Sequence, residues 1–364
     1  MLKQLLNLKV AMRTTLVGLA LVCTPTAQAQ TADFAGKRIE IILPFGPGGG
    51  VDVYARALSP FLEKHLPGNP TLILRHIPGG GSIPGANQFQ ARAKPDGLTA
   101  VVASSSTVNN FVFQRSKAQF DLEKWQPILL SPQGAVIYSS PSLGLKGPQD
   151  LPKLKGQKLL FGGQGPTAGE ARIVTAFELL GLSPTYVWGL TRGPVRLGYE
   201  RGELNINYDA APGFLKSGNE LVKAGKAVPL FTLGIIDGKG NVVRDPLFPN
   251  LPSFPEAYEI MHGKKPSGPG YDSWKALVQM GVMANKLIFL PEGTPKHIVE
   301  AWRTAVRNML KDPEFDKVAS SVVEGYPQVI GEDMRPIIKE ATTLTPAVWE
   351  WLREFYKSKH NLTL

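Results

Sequence analysis

Short apolar runs typical of buried β-strands alternate along the chain with segments in which apolar residues recur every three or four positions, as on one face of a helix. The run 39–43 predicts a strand, and the segment 51–66 predicts an amphipathic helix in which Pro60 should cause a kink or a division. Further predicted strands are 71–74, 98–103, 158–161, 204–208 and 229–236, and further predicted helices are 84–93 and 170–180. This alternation is typical of α/β layers.

The last third of the chain is predicted to be largely helical. An N-cap residue followed by proline occurs at Thr294-Pro295, Asp312-Pro313 and Thr345-Pro346. The final helix has one apolar face, which we interpret as a surface that docks on the rest of the protein rather than as a cofactor site. That face carries Trp349, Trp351, Leu352 and Phe355.

The first 29 residues are interpreted as a secretory signal. Three basic residues precede the apolar stretch 16–22, and Ala27-Gln28-Ala29 provides a cleavage site of the A-x-A type. The apolar stretch is too short to span a bilayer, which takes about 20 residues. We therefore expect export to the periplasm and cleavage after Ala29. Cys23 is the only cysteine, so the exported part should contain neither disulfides nor a cysteine nucleophile.

The formal net charge of the chain is +10 at pH 7. No run of lysine and arginine stands out, because basic residues are scattered among acidic ones. The positive surplus therefore favours small anionic ligands over nucleic acid, although solvated surface charge would also account for it.

Three glycine-rich segments follow predicted strands and precede predicted helices: 44–50, 78–82 and 162–169. Glycines let the backbone approach a ligand closely, and the first turn of a helix offers unpaired N–H groups and the positive end of its dipole. Such turns suit phosphate or carboxylate groups, although a glycine turn can also serve packing alone. In open α/β sheets, ligands bind where such turns gather, so the pattern predicts a binding site without distinguishing an enzyme from a receptor.

The enzyme motifs in the chain are incomplete. Residues 163–168 satisfy G-x-G-x-x-A, but no acidic residue follows about 20 positions later, as a dinucleotide site requires. Ser82 does not form a nucleophile elbow, because Pro84 replaces the second glycine. The five histidines lie far apart without neighbouring carboxylates in the sequence and are expected to be ordinary surface or helix-end residues. We expect no catalytic residue, no cofactor and no metal.

Residues 44–56 read P-F-G-P-G-G-G-V-D-V-Y-A-R. This segment closely resembles the P-F-x-x-G-G-x-x-D-x-x-A-R signature of the tripartite tricarboxylate transporter receptors, the Bug family of periplasmic solute-binding proteins. Further segments match the family in the expected order over nearly the whole exported chain: Pro78–Gly81, Pro95–Gly97, Phe161–Gly165, Gly202–Asn205, Tyr208-Asp209, Leu251–Glu256 and Gly293–Pro295.

The resemblance implies an α/β, two-domain periplasmic binding protein of type II, the flytrap kind, with a ligand cleft between its lobes. Residues 30–132 and 250–364 would form domain 1, and residues 133–249 would form domain 2. The implied function is that of a non-catalytic, monomeric receptor that binds a small organic anion and delivers it to the membrane permease subunits of a tripartite transporter. An exported hydrolase and a ligand sensor for a signalling partner remain alternatives.

By the same resemblance, the loops 45–52 and 163–167 would grip one end of a carboxylate from opposite lobes, chiefly through backbone N–H groups. The residues implied in these two loops are Phe45, Gly46, Pro47, Gly48, Gly49, Asp52, Gly163, Gln164, Gly165 and Thr167. Ser105, Thr107 and Asp209 would line the remainder. Asp52 could orient its loop, meet a polar ligand group, or serve as a favourable negative charge at the helix start.

The chain departs from the family at Val187–Thr191, which reads V-W-G-L-T where the family has V-P-Y-K-G. Trp188 could add an apolar wall, and Arg192 could bind a second carboxylate in bidentate geometry. Alternatively, Trp188 is a core residue and Arg192 a surface residue. Asn205 replaces an aspartate of the family. If these residues face the cleft, the changes favour an aromatic carboxylate or a longer dicarboxylate over an amino-bearing ligand.

Overall fold

A computed structural model describes residues 31–318, 322–323 and 325–364, so the predicted signal segment lies outside the described residues. The strands, in chain order, are β1 (Arg38–Leu43), β2 (Thr71–His76), β3 (Thr99–Ser104), β4 (Gln126–Ser131), β5 (Ala135–Ser139), β6 (Leu160–Gly162), β7 (Thr185–Val187), β8 (Ile206–Ala210), β9 (Val228–Thr232), β10 (Ile235–Ile236), β11 (Val242–Val243), β12 (Lys286–Leu290) and β13 (Val329–Ile330).

The helices alternate with these strands and then dominate the last third of the chain. In chain order they are α1 (Gly50–His65), α2 (Ile83–Arg92), α3 (Ser105–Phe113), α4 (Ala171–Leu179), α5 (Arg192–Glu200), α6 (Ala211–Gly213), α7 (Asn219–Lys223), α8 (Phe254–His262), α9 (Pro269–Val278), α10 (Lys296–Met309), α11 (Pro313–Val318), α12 (Met334–Thr342) and α13 (Pro346–His360). The predicted α/β class is confirmed.

A six-stranded mixed sheet, in the order β13-β4-β12-β3-β1-β2, forms the larger layer. β1 runs parallel to β2 and β3, whereas β12 runs antiparallel to both β3 and β4. Lys286, the first residue of β12, therefore lies opposite Ser104 and Ser131, the last residues of β3 and β4. The starts of α1 and α3 share this edge of the sheet, because each helix follows a parallel strand.

A smaller antiparallel sheet has the order β8-β5-β9, and β6 pairs with β7 in a separate parallel ribbon. The core beside β5 and β9 also contains residues from later in the chain, including Phe254 of α8 and Trp274 of α9. Helices α8 and α9 thus pack with the small sheet, although they follow it in sequence.

Helix α1 is continuous through Pro60, so the expected division there is wrong. A proline in a helix interior costs about 3 kcal/mol. Burial of Leu58, Phe61 and Leu62 on the same face of α1, against the core that contains Trp302, offsets this cost.

Two of the three predicted helix starts are confirmed. The Asp312 side chain accepts a hydrogen bond from the Glu314 amide at 3.0 Å, and the Thr345 side chain accepts one from the Val348 amide at 3.3 Å. At the third, α10 begins at Lys296, and the Thr294 hydroxyl donates to the Pro291 carbonyl instead. The docking face of α13 is confirmed, because Leu352 and Phe355 are buried and the helix packs against α9.

Two elements differ from the predictions. The segment 229–236 is divided into β9 and β10, because Gly234 adopts a φ of 77° that interrupts the strand. Helix α3 was not predicted, since Ser104–Thr107 was interpreted only as the end of a strand. None of the described helices combines the length and the apolar character needed to cross a bilayer.

Candidate ligand-binding site

The first glycine loop, residues 44–49, is held by the buried carboxylate of Asp52 in the first turn of α1. One Asp52 oxygen accepts the Gly48 amide at 2.9 Å and Arg56 Nε at 3.0 Å, and the other lies 2.7 Å from His76 Nε2. Burial alone would raise the pKa of the Asp52 carboxyl, but these hydrogen bonds hold it below its usual value. The protein thus occupies both oxygens, and Asp52 orients the loop.

The contact of His76 with Asp52 was not foreseen from the sequence. His65 likewise lies 2.9 Å from Asp312 Oδ2. These partners are 24 and 247 positions apart, so no local spacing indicates them.

The tip of the first loop is open. A Cβ atom added at Gly46 or Gly48 would meet nothing within 4 Å, and the same holds for Gly165 in the third glycine loop. Pro47 and Gly48 are exposed, whereas Phe45 is buried beneath the loop. Helix α1 begins at Gly50 after the N-cap residue Gly49, without a side chain that caps its first amides.

The start of α3 is closed by its own side chains. Ser104 Oγ accepts the Ser106 amide at 3.2 Å, and Thr107 Oγ1 accepts the Ser104 amide at 3.2 Å in a capping box. Thr107 is fully buried and also accepts the Ser82 hydroxyl at 3.0 Å, which makes it part of the local framework. Ser105 Oγ is 3.5 Å from Arg172 Nη1.

The third glycine loop, residues 162–169, packs directly on α3. Ser106 Oγ donates to Gln164 Oε1 at 3.1 Å and accepts the Gly169 amide at 2.9 Å. Thr167 is buried against Gln114 of the segment after α3. Gly163 has little free space, because a Cβ there would lie 2.6 Å from Glu170 Cγ. Among the described residues, no hydrogen bond or ion pair joins the first loop to the third.

Trp188 is half-buried in an aromatic cluster. Its ring stacks on Tyr186 with 5.0 Å between centroids, meets Phe161 edge-on at 6.4 Å, and approaches His360 of α13. These contacts are those expected if Trp188 packs with the core, which was one of the two alternatives for this residue. Asn205 ties β6 to the start of β8, because its side chain accepts the Leu160 amide at 2.7 Å.

Arg192 is part-buried rather than a freely exposed surface residue. One of its terminal nitrogens donates to Asn207 Oδ1 at 2.6 Å and to the Tyr208 carbonyl, while the guanidinium lies 4.1 Å from the centre of the Tyr208 ring. The other terminal nitrogen is buried without a partner. Burial opposes the charged form, but Tyr208, Asp209 and Glu170 together raise the pKa of Arg192.

Asp209 is buried, and both its oxygens have partners within the protein. Oδ1 accepts Arg196 Nη2 at 2.6 Å, and Oδ2 accepts the Tyr138 hydroxyl at 2.8 Å. It therefore positions Arg196 and lies 3.8 Å from Arg192.

Sequence reasoning missed two buried cations, Arg172 and Lys286. Arg172 lies in the first turn of α4, whose residues 171–177 are all buried, and Lys286 begins the apolar run of β12. A charged residue at the head of an apolar run is a signal that could have indicated Lys286, whereas Arg172 shares its helix with Glu178 and has no such signal. Burial lowers the pKa of Arg172, and burial together with the nearby Arg172 lowers the pKa of Lys286 to about 7.

A surface groove lies elsewhere, between α9 and the residues around the start of α13. Its lining includes Asp272, Lys275, Glu340 and Leu344, and it contains none of the predicted site residues. Within the described ranges, no group of three or more histidine, cysteine, aspartate or glutamate residues is arranged to hold a metal ion.

Comparison of sequences relates most of the chain to UPF0065 proteins. No protein-family model matches the sequence. The chain is 23% identical over 332 residues to a UPF0065 protein from Pseudomonas sp. (strain P51), covering 88% of this chain and 89% of that protein. It is 33% identical over 91 residues to the protein BugT of Bordetella pertussis, covering 25% of this chain and 27% of BugT.

Solved structures, among them that of the periplasmic binding protein BugD, superpose on most of the chain. BugD matches with a TM-score of 0.67 and 18% identity, covering 88% of this chain and 97% of BugD. Rpa4515 of Rhodopseudomonas palustris, solved with adipate, matches with a TM-score of 0.65 and 19% identity over 87% and 96% of the two chains. MatC from the same species, solved with bound malate, matches with a TM-score of 0.62 and 18% identity, covering 84% of this chain and 96% of MatC. The resemblance to the Bug receptors is confirmed.

The fold is thus that of a periplasmic binding protein such as BugD. Within it, the expected residues lie in different surroundings. The exposed or open backbone positions are Gly46, Pro47, Gly48 and Gly165. Side chains engaged within the protein are those of Asp52, Thr107, Thr167 and Asp209. Ser105 and Gln164 lie together at the contact between α3 and the third loop, while Trp188 packs in the aromatic cluster.

Proposed function

We propose that this chain is a periplasmic receptor that captures a small organic carboxylate for a tripartite tricarboxylate-type transporter. Dicarboxylates or aromatic carboxylates would be preferred, and the receptor would act as a monomer that delivers its ligand to membrane permease subunits. Malate in MatC and adipate in Rpa4515, two structures of similar fold, support this ligand class. The chain would be exported, and its signal segment would be cleaved after Ala29.

The observation that carries the proposal is the uncapped start of α1 beneath an open glycine loop. α1 has 16 residues, begins at the carboxyl end of β1, and has no side chain bonded to its first amides. By contrast, the start of α3 is closed by its capping box. Exposed amides without a partner and the positive end of a helix dipole favour binding of a carboxylate. Asp52 would hold the loop in the conformation that binds it.

The two lobes would be residues 30–132 with 250–364, and residues 133–249. The six-stranded sheet supports the first lobe and the sheet β8-β5-β9 supports the second. Because α8 and α9 pack in the core of the small sheet, the second boundary is better placed near residue 283 than at 250. The guest would then lie between the loop 45–52 and the loop 163–167.

A thermal-shift titration of the purified chain with mono-, di- and tricarboxylates tests the proposal. A ligand present at about 100 times its Kd stabilises a protein by about 2.7 kcal/mol, which raises the melting temperature measurably. Absence of any shift across aromatic and aliphatic acids, or hydrolysis of a carboxylate ester or amide by the pure protein, would contradict a receptor role.

Two variants test the location of the site. Gly46→Val and Gly165→Val add bulk where a Cβ meets nothing within 4 Å and where φ is not positive, so the fold should be retained. Each should reduce carboxylate affinity at least about tenfold, which corresponds to about 1.4 kcal/mol. Gly238→Val, at an exposed turn with the same free space, is the matched control and should bind as the wild type does.

A further inference from the structure

Arg172 and Lys286 lie at the same edge of the large sheet as the starts of α1 and α3. Arg172 is 2% exposed, and its Nη1 reaches Ser105 Oγ in the first turn of α3. Lys286 is 5% exposed and lies opposite Ser104 and Ser131 in the sheet. Tyr54 of α1 shares this edge, because its hydroxyl is 2.7 Å from Ser131 Oγ.

Neither cation forms a close ion pair in the part of the chain that the structure describes. None of the ion pairs found within 4 Å among the described residues includes Arg172 or Lys286. Lys286 Nζ donates only to amide oxygens, at 3.1 Å to Gln133 and 2.5 Å to Asn285. Arg172 Nη1 donates to the Gly169 carbonyl at 2.5 Å, and its Nε is buried without a hydrogen-bond partner.

Asp209 is paired with Arg196. Glu170 Oε1 accepts the Tyr208 hydroxyl at 3.0 Å, whereas Glu170 Oε2 is buried without a hydrogen-bond partner, and the negative charge of Glu170 acts to raise the pKa of Arg172. Burial and, after it, the like charge of Arg172 lower the pKa of Lys286, and no close ion pair among the described residues offsets them. A negatively charged guest would supply the missing partner and favour the charged form of the lysine.

The backbone makes room for these side chains. A Cβ at Gly281, in the π-helical turn Gln279–Met283, would lie 2.5 Å from Arg172 Cδ. A Cβ at Gly169 would lie 3.1 Å from Ser106 Oγ and 3.7 Å from Arg172 Nη1. Glycine at both positions lets the guanidinium reach the start of α3.

We propose that Arg172 and Lys286 form an anion subsite that binds the second carboxylate of a dicarboxylate guest, while the first carboxylate meets the amides at the start of α1. This inference rests on the proposed receptor function and specifies the ligand class as dicarboxylate. The planar guanidinium can form a bidentate contact with a carboxylate, and the lysine adds a point charge. Arg172 would thereby have the role that was one of two alternatives for Arg192.

Calorimetric titration with matched acids tests the subsite: adipate against hexanoate, malate against lactate, and terephthalate against benzoate. Wild type should bind at least one diacid more tightly than its monoacid. Arg172→Met and Lys286→Met should each lower the affinity for that diacid at least tenfold, while the affinity for the matched monoacid should change less than twofold. Lys155→Met, which removes an exposed lysine, should change neither.

Melting without ligand separates binding from folding. Lys286→Met removes an uncompensated buried charge and should melt at the same temperature as wild type or higher. A lower melting temperature, or an equal loss of affinity for diacid and monoacid, would indicate that both cations have a structural role. Either result would overturn the proposed subsite. If wild type binds monoacids as well as diacids, the subsite fails while the receptor function stands. If none of the six acids binds, both proposals fail.

Discussion

At the scale of single residues, the Asp52 carboxylate holds the first glycine loop through the Gly48 amide and anchors it to Arg56 and His76. The three donors come from the loop, from the next turn of α1 and from the end of β2. Because one side chain joins all three, the shape of the loop depends on this carboxylate more than on the glycines alone.

Replacing Asp52 by asparagine should lower the free energy of unfolding by about 1–3 kcal/mol, since a buried hydrogen-bonded charge is exchanged for a neutral amide that mismatches one donor. The Asp52 pKa is lower in the folded state, so this stability is present above the ordinary value near 3.8 and is lost as the pH falls through the folded pKa. Urea unfolding at pH 7 measures the change. The exposed Glu350→Gln variant is the control, and equal stability of both variants would contradict the role given to Asp52.

At the scale of elements, side-chain caps define several helix starts. α13 begins where Thr345 accepts the Val348 amide, with Pro346 in the first position. α3 has a complete capping box from Ser104 and Thr107, although it follows β3 without a connecting loop. The capping box therefore lets the chain change from strand to helix between Ser104 and Ser105.

Thr345→Ala removes the cap of α13, and we expect it to lower the free energy of unfolding by about 1 kcal/mol. Chemical denaturation should show this as a lower midpoint with an unchanged slope. Thr343→Ala, two positions earlier and exposed, provides a comparison in which the cap is intact. A midpoint equal to that of the Thr343 variant would show that the cap does not stabilise α13.

Elements with local signals were predictable from the sequence. The first strand and helix, the Thr345 cap and the apolar face of α13 each depend on residues within a few positions of one another. The partners of Asp52 and the convergence of Arg172 with Lys286 were not predictable, because they depend on how distant segments pack. α3 was not predicted because the four small polar residues Ser104–Thr107 are as typical of a turn as of a capping box.

At the scale of the whole molecule, the chain passes from the large sheet to the small sheet between β4 and β5 and returns at β12. The resemblance implied a first domain of residues 30–132 with 250–364, whereas the return to the large sheet occurs at β12. The charge distribution between the sheets was not predictable in this way, since it depends on which side chains the packing buries. One buried charge there should affect the stability of the entire fold.

The unliganded protein should become more stable with increasing pH between about pH 7 and pH 10 because of Lys286. Its folded pKa is about 7, whereas an unfolded lysine titrates near about 10.4, so the unfolded state binds more protons in this window. The contribution to the free energy of unfolding then rises by about 1.4 kcal/mol per pH unit. Urea unfolding at pH 7, 8 and 9 measures it, and Lys286→Met should lack the increase. Parallel pH profiles of the two proteins would refute the assignment.

The hydrogen bond from Lys286 Nζ to Gln133 Oε1 joins the two places where the chain passes between the sheets. Gln133 lies in the outgoing connection, and Lys286 begins the returning strand. In the proposed two-lobe arrangement, bending of one lobe against the other would turn about these same connections. A ligand that keeps Lys286 protonated and bound would therefore make these two connections more rigid. Binding of the ligand and rigidity of the bound receptor would then both depend on the proton that Lys286 takes up.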